Sequence, residues 1–255
     1  MGGRPRHRLA GLALLLACGL AVPPAEAGPT YVIGVENVSY LPFYGEENGA
    51  YGGYARVILD AFAKDRHYDF EYRPLPVPRL YASFFADQVD FKFPDNPDWQ
   101  PELRKGKPVA YSDAVLGYVD GANVIAGEKL PSLADIRSLG TVTGFSPWPW
   151  LPLITSGKVT LTENASFKAL VQQVLSRRID AAYANVAVIS RELEGLHQPG
   201  ALVFDPDLPH DRGTYFLSTL KQRAILAEFS GWLRANRGFI VGLTAGRGIS
   251  KETAK

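Results

Sequence analysis

Cysteine is almost absent. The 255-residue chain has one, Cys18, together with a single methionine and four histidines. Beyond residue 18 there is therefore no disulfide framework, no thiol nucleophile and no cysteine metal site. An excess of charge of either sign is also missing. Twenty-seven Lys and Arg face 26 Asp and Glu, for a net charge of +1, which gives no strong field to attract nucleic acid or anionic lipid. No histidine sits in a metal spacing such as H-E-x-x-H. "GFSPW" at 144–148 is not the G-x-S-x-G elbow, and neither a Walker loop nor a dinucleotide fingerprint occurs, so no cofactor is expected. The 19 prolines and 25 glycines do not cluster into a low-complexity tract, and no solenoid or propeller period is found. What is present is 46% hydrophobic and 21% charged residues, the composition of a packed core, in a length that suits one large domain or two small ones.

The first residues have the layout of an export signal. Arg4, Arg6 and Arg8 form a basic region, an apolar run extends from Leu9 to Val22, and "AEA" at 25–27 is an A-x-A cleavage pattern. Cleavage after Ala27 removes these three arginines and Glu26, so the net charge changes sign to −1. "LLAC" at 15–18 is also compatible with lipid attachment at Cys18. Both routes predict an exported, periplasmic protein, soluble in one case and anchored in the other. No later segment is long and apolar enough to span a membrane.

Along the rest of the chain, strands and helices alternate twice. "YVIGVE" at 31–36 is a β-branched strand, followed by a Gly-, Tyr- and Asn-rich loop over 37–53. Tyr54, Val57, Ile58, Ala61 and Phe62 recur with helical spacing. "YDFEYRP" is a second strand, Pro78 opens a helix carrying Leu80, Phe84 and Phe85, and "QVDFKF" is a third strand. This order predicts a parallel, helix-covered sheet. The pattern restarts with a short helix over "LPSLADIRSLG" and the strands "TVTG" and "KVTLTE". A helix through Phe167, Leu170, Val171, Val174 and Leu175 follows, and "RIDAAYAN" leads into a helix over 186–194. The segments 111–127 and 202–218 are expected to cross between the halves, and Ile225, Phe229, Trp232 and Leu233 mark a last core-facing helix.

The ordered set of segments resembles the family 3 extracellular solute-binding proteins, the amino-acid type that serves ABC importers. "SYLPFYGEENGAYGGYARVILDAF", "VAYSDAVLGY" and "SFKALVQQVLSRRIDAAYAN" carry the resemblance, which covers nearly the whole chain after residue 27. It implies a two-lobed α/β fold of the periplasmic binding protein type II class, with two hinge crossings. Lobe one would comprise 28–115 and 213–255, and lobe two 116–212. The implied partners are a small-molecule or apolar ligand and a membrane permease of an ABC-type or other transporter. A monomer is expected, with no nucleic acid partner. The departures from the family pattern are specific. The family's Ser/Thr-rich segment after the third strand is here "PDNPDWQPELR", and its lobe-two Asp is here Asn185.

Ligands in such sheets sit beyond the carboxyl ends of the strands. Tyr40 and Phe43 follow the first strand, Tyr40 as a stacking wall and Phe43 as either wall or core. In "FKFPDNPDW" the strand is read as ending at Phe93, with Asp95, Asn96 and Trp99 standing in for the missing hydroxyls. Arg104 falls near the family's carboxylate-gripping arginine and could instead form an ion pair with Asp98 or Glu102. Lys92 either reaches the cleft mouth or pairs with Asp95. Ser146 is placed as an N-cap before Pro147, beside Phe145, Trp148 and Trp150, with one tryptophan or both outside the core. Asn185 is a ligand contact or a helix cap. The predicted ligand contacts are thus Tyr40, Phe43, Asp95, Asn96, Trp99, Arg104, Phe145, Ser146, Trp148 and Asn185. The expected ligand is a small organic molecule with an apolar or aromatic body. Rival readings are a lipid-like or sterol-like ligand, a dehydratase-like enzyme on the same fold, and an accessory interaction protein with no ligand. No catalytic residue and no metal ligand is assigned.

Overall fold

The β-branched run at the start forms β1 (Thr30–Glu36), and everything in lobe one is arranged around it. The structure, a computed structural model, describes residues 1–2, 28–127 and 130–245. The leader read at 1–27, with Cys18, falls outside the described residues apart from Met1 and Gly2, and so does the segment 246–255 that the sequence reading assigns to lobe one. Next come β2 (Gly45–Glu47), β3 (Ala50–Gly52), α1 (Tyr54–Arg66), β4 (Asp69–Leu75), α2 (Val77–Phe85) and β5 (Phe91–Asp95). The short α3 (Pro101–Arg104) and β6 (Ala110–Tyr111) lead into the long β7 (Leu116–Ile125). The second half contains β8 (Ser138–Val142), α4 (Leu151–Thr155), β9 (Thr160–Asn164), α5 (Phe167–Leu175), β10 (Ala181–Asn185), α6 (Val186–Gly195) and β11 (Leu202–Phe204). β12 (Asp211–Thr219), α7 (Arg223–Ala235) and α8 (Arg237–Thr244) complete the chain.

The strands run in the order β4-β1-β5-β12-β7-β10-β8-β9, with β11 paired to β7 and β6 to β12. β1 is parallel to β4 and β5, and β8 is parallel to β9 and β10, as the two βαβ patterns require. β12 joins the halves. Its first part, Asp211–Tyr215, pairs antiparallel with β7, and its later part, Phe216–Ser218, pairs with β5. One strand therefore belongs to both lobes, and β7 lies beside it. Of the helical face read from Tyr54 onward, Tyr54, Ile58 and Phe62 are buried but Val57 is exposed, because the buried stripe is turned toward Ala55 and Leu59; α7 buries Ile225, Phe229, Trp232 and Leu233 in the same core. Among the described residues no helix is long and apolar enough to cross a membrane.

Four local expectations are corrected. The third strand does not stop at Phe93 but runs on through Pro94 and Asp95. Its partner β12 shifts register here, so that Lys92 faces Ser218 and Asp95 faces Phe216. This bulge is where a proline, with no N–H to offer, can be accommodated in a ladder. The loop over 37–53 contains the β2–β3 hairpin. The helix expected over 130–140 is only a 3-10 turn, Leu133–Asp135, closed by a reciprocal Ser132–Asp135 capping box. Ser138–Gly140 instead opens β8, where Gly140 lies under Leu170 and Ile179 so closely that a Cβ would collide with them. Finally, Ser146 caps no helix with its side chain. Pro147 precedes a 3-10 turn at Trp148–Trp150, which continues into α4.

Candidate functional site

The carboxyl ends of β1, β5, β8 and β10 frame the space between the lobes, and their polar side chains form two groups. The first is a closed ionic cluster at the end of β5. Lys92 and Asp95 are wholly buried and Arg104 nearly so. Lys92 Nζ donates to Pro94 O at 2.6 Å and to Asp95 Oδ1 at 3.2 Å, and lies 4.4 Å from the centroid of the Tyr81 ring. The Arg104 fork has five N–H groups, and five bonds use them. Nε donates to Trp99 O. Nη1 donates to Asp95 Oδ2 at 3.3 Å and to the Tyr111 hydroxyl. Nη2 donates to the Tyr81 hydroxyl at 3.4 Å and to Asp95 Oδ1. Asp95 also accepts from the Ser218 hydroxyl and the Asn96 N–H. Nearby, buried Glu36 at the end of β1 accepts from the Tyr44 hydroxyl at 3.1 Å. Burial raises the Glu36 pKa, against the opposing pull of Lys92.

The second group lies on β7 and β12, where the two halves join, and on the neighbouring β10. Asp120 on β7 faces Asp211 on β12 in register, and Asn185 on β10 from the other side. Because side chains alternate along a strand, Tyr118 and Asp120 share one face of β7, and Asp211, Gly213 and Tyr215 share the same face of β12. Gly213 stands opposite Tyr118, and a Cβ there would run into the tyrosine hydroxyl. Tyr118 then stacks on Tyr215, with centroids 4.8 Å apart. Asp120 Oδ1 accepts from Asn185 Nδ2 at 3.1 Å and from the Tyr40 hydroxyl at 3.4 Å, and Asp211 accepts from the Tyr118 hydroxyl at 3.4 Å. Burial pushes the Asp120 pKa up to about 7. The Asn185 and Tyr40 hydrogen bonds act to lower it, while Asp211 adds repulsion.

Aromatic rings close the gap between the lobes. Tyr40, from the segment after β1, stacks on Phe145, from the turn after β8, at 5.6 Å and 5° between ring planes. Phe167 on α5 meets both rings edge-on at 5.5 Å. Tyr40 also stacks on Tyr44 at 5.1 Å.

The ten sequence-predicted residues therefore divide. Tyr40, Phe145 and Asn185 come together around Asp120 and the aromatic seam. Asn185 caps α6, accepting from Ala187 N and Val188 N, so its helix-cap reading holds, and its Nδ2 is spent on Asp120. Phe43 is core, edge-on to Tyr54 and Tyr215. Asp95 and Arg104 are engaged with each other, and Arg104 takes neither Asp98 nor Glu102 as its partner. Asn96 Nδ2 donates to Thr214 O at 3.0 Å, and its Oδ1 accepts from Asp98 N, forming a side-chain turn. Trp99 is half-buried, edge-on to Tyr215. Ser146 is exposed, and Trp148 is 67% exposed. Trp150 is the core tryptophan, its indole N–H donating to Pro209 O at 2.8 Å. Sequence reasoning missed Glu36, Asp120, Asp211 and Ser218. The period-two placing of Tyr118 with Asp120 in an otherwise apolar strand was the one signal available. Among the described residues no group of three His, Cys, Asp or Glu side chains could hold a metal ion.

No protein-family model matches the chain, and no curated protein matches it by sequence. Solved structures do match. A histidine kinase sensor domain with similarity to periplasmic binding proteins superposes with a TM-score of 0.65 at 16% identity, covering 88% of this chain and 99% of that one. The unliganded, open L-cystine solute receptor of Neisseria gonorrhoeae gives 0.64 at 14% identity, covering 89% and 96%. The arginine-, lysine-, histidine-binding protein ArtJ of Geobacillus stearothermophilus gives 0.63 at 17% identity, covering 86% and 94%. The chain has the two-lobed periplasmic binding protein fold. Within that fold, β7 and β12 are the strands that run between the two halves, and Tyr40 and Phe145 bring a ring from each half into contact.

Proposed function

We propose that the protein is a periplasmic solute-binding protein that captures a small organic solute between its lobes and presents it to a membrane permease, acting as a monomer. Lobe one is taken as 28–115 with 213–255, and lobe two as 116–212. The observation that carries this reading is the parallel stack of Tyr40 and Phe145, one ring from each lobe. Opening about β7 and β12 would part the two rings, and a solute with a flat apolar or aromatic body would restore a contact on each face when the lobes close. Such contacts are made in the closed state and lost in the open one, which is the condition for a ligand to drive closure. Proteins of similar fold include an arginine-, lysine-, histidine-binding protein and a cystine receptor, which favours a ligand with polar handles as well. The two groups that would grip an α-amino acid are altered here, since Arg104 has all five donors occupied and Asn185 replaces an acid. An ordinary α-amino acid is therefore not the ligand in this reading.

The test is native mass spectrometry of the protein purified from its host, paired with small-angle scattering before and after removal of any bound molecule. A co-purifying small organic molecule and a more open particle after its removal are expected. A chain that carries nothing, and whose scattering is unchanged by any solute mixture, would sink the proposal. A charged polar α-amino acid as the bound molecule would overturn the ligand class.

A further inference from the structure

Two carboxyl groups on the β7–β12 face have only neutral hydrogen-bond donors among the described residues. Asp120 and Asp211 oppose each other in register across β7 and β12, an arrangement of like charges that destabilises a sheet. Their hydrogen-bond donors, Asn185, Tyr40 and Tyr118, are all neutral. Among the described residues no cation is paired with either carboxylate, and the buried cations Lys92 and Arg104 are both bound to Asp95. Neither acid is sealed off, since each retains partial exposure.

The ring geometry is an independent observation at the same place. Tyr40 donates to Asp120 and also forms one face of the parallel stack with Phe145. Aromatic faces are negative and attract cations. A carboxylate at the edge of a two-ring clamp presents one continuous negative surface to whatever enters between the rings. A carboxylate on the ligand has no such welcome. The fork of Arg104 is saturated, and Lys92 donates to Pro94 O and Asp95 and faces the Tyr81 ring.

Resting on the solute-capture reading, we infer that the solute is a flat organic cation without a carboxylate, of the guanidinium or amidinium class. Its plane lies between Tyr40 and Phe145, and its N–H groups point to Asp120. This assigns ligand selectivity to the hinge strands and not to the turn after β5.

Isothermal calorimetry with matched probes tests it. Benzamidine, benzamide and benzoate share one flat body and differ in charge, and agmatine and arginine share one guanidinium and differ in the α-carboxylate. Benzamidine is expected to bind at least tenfold tighter than benzamide, with benzoate weaker still, and agmatine at least tenfold tighter than arginine. In Asp120→Asn the preference for benzamidine over benzamide should vanish, and Asp211→Asn should reduce it, which keeps the test decisive if one variant folds poorly. Equal binding of benzamide or benzoate, a preference that survives both substitutions, or no heat with any probe would each overturn the inference. A neutral co-purified solute in the mass-spectrometric experiment would refute the cation while leaving solute capture standing.

Discussion

Replacing Asp95 by asparagine is the most demanding test of the lobe-one cluster. The change keeps size and shape but removes the one carboxylate that bonds both Lys92 and Arg104. Lys92 is 0% exposed and Arg104 9%, so neither cation can turn to water. Breaking a buried pair from one side leaves an uncompensated buried charge and costs about 3–5 kcal/mol. The Asn side chain would also place an N–H₂ group where Lys92, Arg104 or Ser218 now donates, so the amide adds a clash of donors to the loss of charge. For a chain of this size each kcal/mol lowers Tm by roughly 2–4 °C, which gives a fall of about 6–20 °C. Urea unfolding followed by tryptophan fluorescence measures it, with an unchanged slope confirming that stability alone has moved. Asp98→Asn, three residues from the Arg104 fork's main partner but on the exposed side of the turn, is the control and should stay within about 0.5 kcal/mol. Adding Lys92→Met to Asp95→Asn removes one stranded cation and should recover part of the loss. A loss below about 1 kcal/mol for Asp95→Asn, or no recovery in the double variant, would refute the view that this cluster is held together by its carboxylate.

Further outcomes follow from the same contacts. The raised pKa of Asp120, about 7 against an ordinary 3.8, means the folded state keeps a proton that the unfolded chain loses between about pH 4 and 7. The stability it lends is full below about pH 4 and is lost as pH rises through about 7. Asp120→Asn, with Asn185, Tyr40, Tyr118 and Asp211 still around it, should flatten that slope. It should also be more stable than the parent at pH 8 by on the order of 2 kcal/mol, allowing for the partial exposure of the carboxylate. Urea curves across pH 4–8 with the same slope for both proteins would contradict this. Trp150→Ala should cost about 3–5 kcal/mol by emptying a core site, whereas Trp148→Ala should move stability by no more than about 0.5 kcal/mol, both read by thermal melts. Gly213→Ala places a Cβ against the Tyr118 hydroxyl and should cost about 1–3 kcal/mol. Loss of near-ultraviolet ellipticity from the Tyr118–Tyr215 stack would accompany it.

Much of the architecture was legible because it is written in local periods. Tyr54, Ile58 and Phe62, or Phe167, Leu170 and Val174, recur within one helical face, and the two βαβ patterns follow from their order. The errors arose where a long-range partner overrides the local signal. Pro94 reads as a terminator until β12, more than a hundred residues on, supplies a bulge that tolerates it. The two tryptophans at 148 and 150 cannot be told apart in sequence. A 3-10 turn, with three residues per turn, sends positions two apart to different sides, which puts Trp150 in the core and Trp148 in solvent. The candidate site was less legible than the fold for the same reason. Asp120 becomes significant only when the register of β12 brings Asp211 beside it, and Arg104 ceases to be a free grip only when Asp95 stays in the strand.

These placements change where selectivity should reside. The end of β5 and the turn after it hold Lys92, Arg104 and Asp95 in a network of mutual bonds, so they can stiffen lobe one but have little capacity left to offer a solute. On the β7–β12 face Asp120 and Asp211 accept, among the described residues, from neutral donors, so in the proposed reading a positive solute is the partner this face would favour. The closed cleft is itself sealed by the stack of Tyr40 on Phe145, a contact worth about 0.5–1.5 kcal/mol beyond the area it buries. A solute must exceed that contact to open and reoccupy the clamp. A neutral flat molecule would do little more than replace one stacking partner by another. A cation would add attraction to Asp120 and relieve the repulsion between Asp120 and Asp211, contributions that the unliganded closed state lacks. The differential that ligand-driven closure requires is therefore largest for a positively charged solute, and it is generated on the two strands about which the lobes would turn.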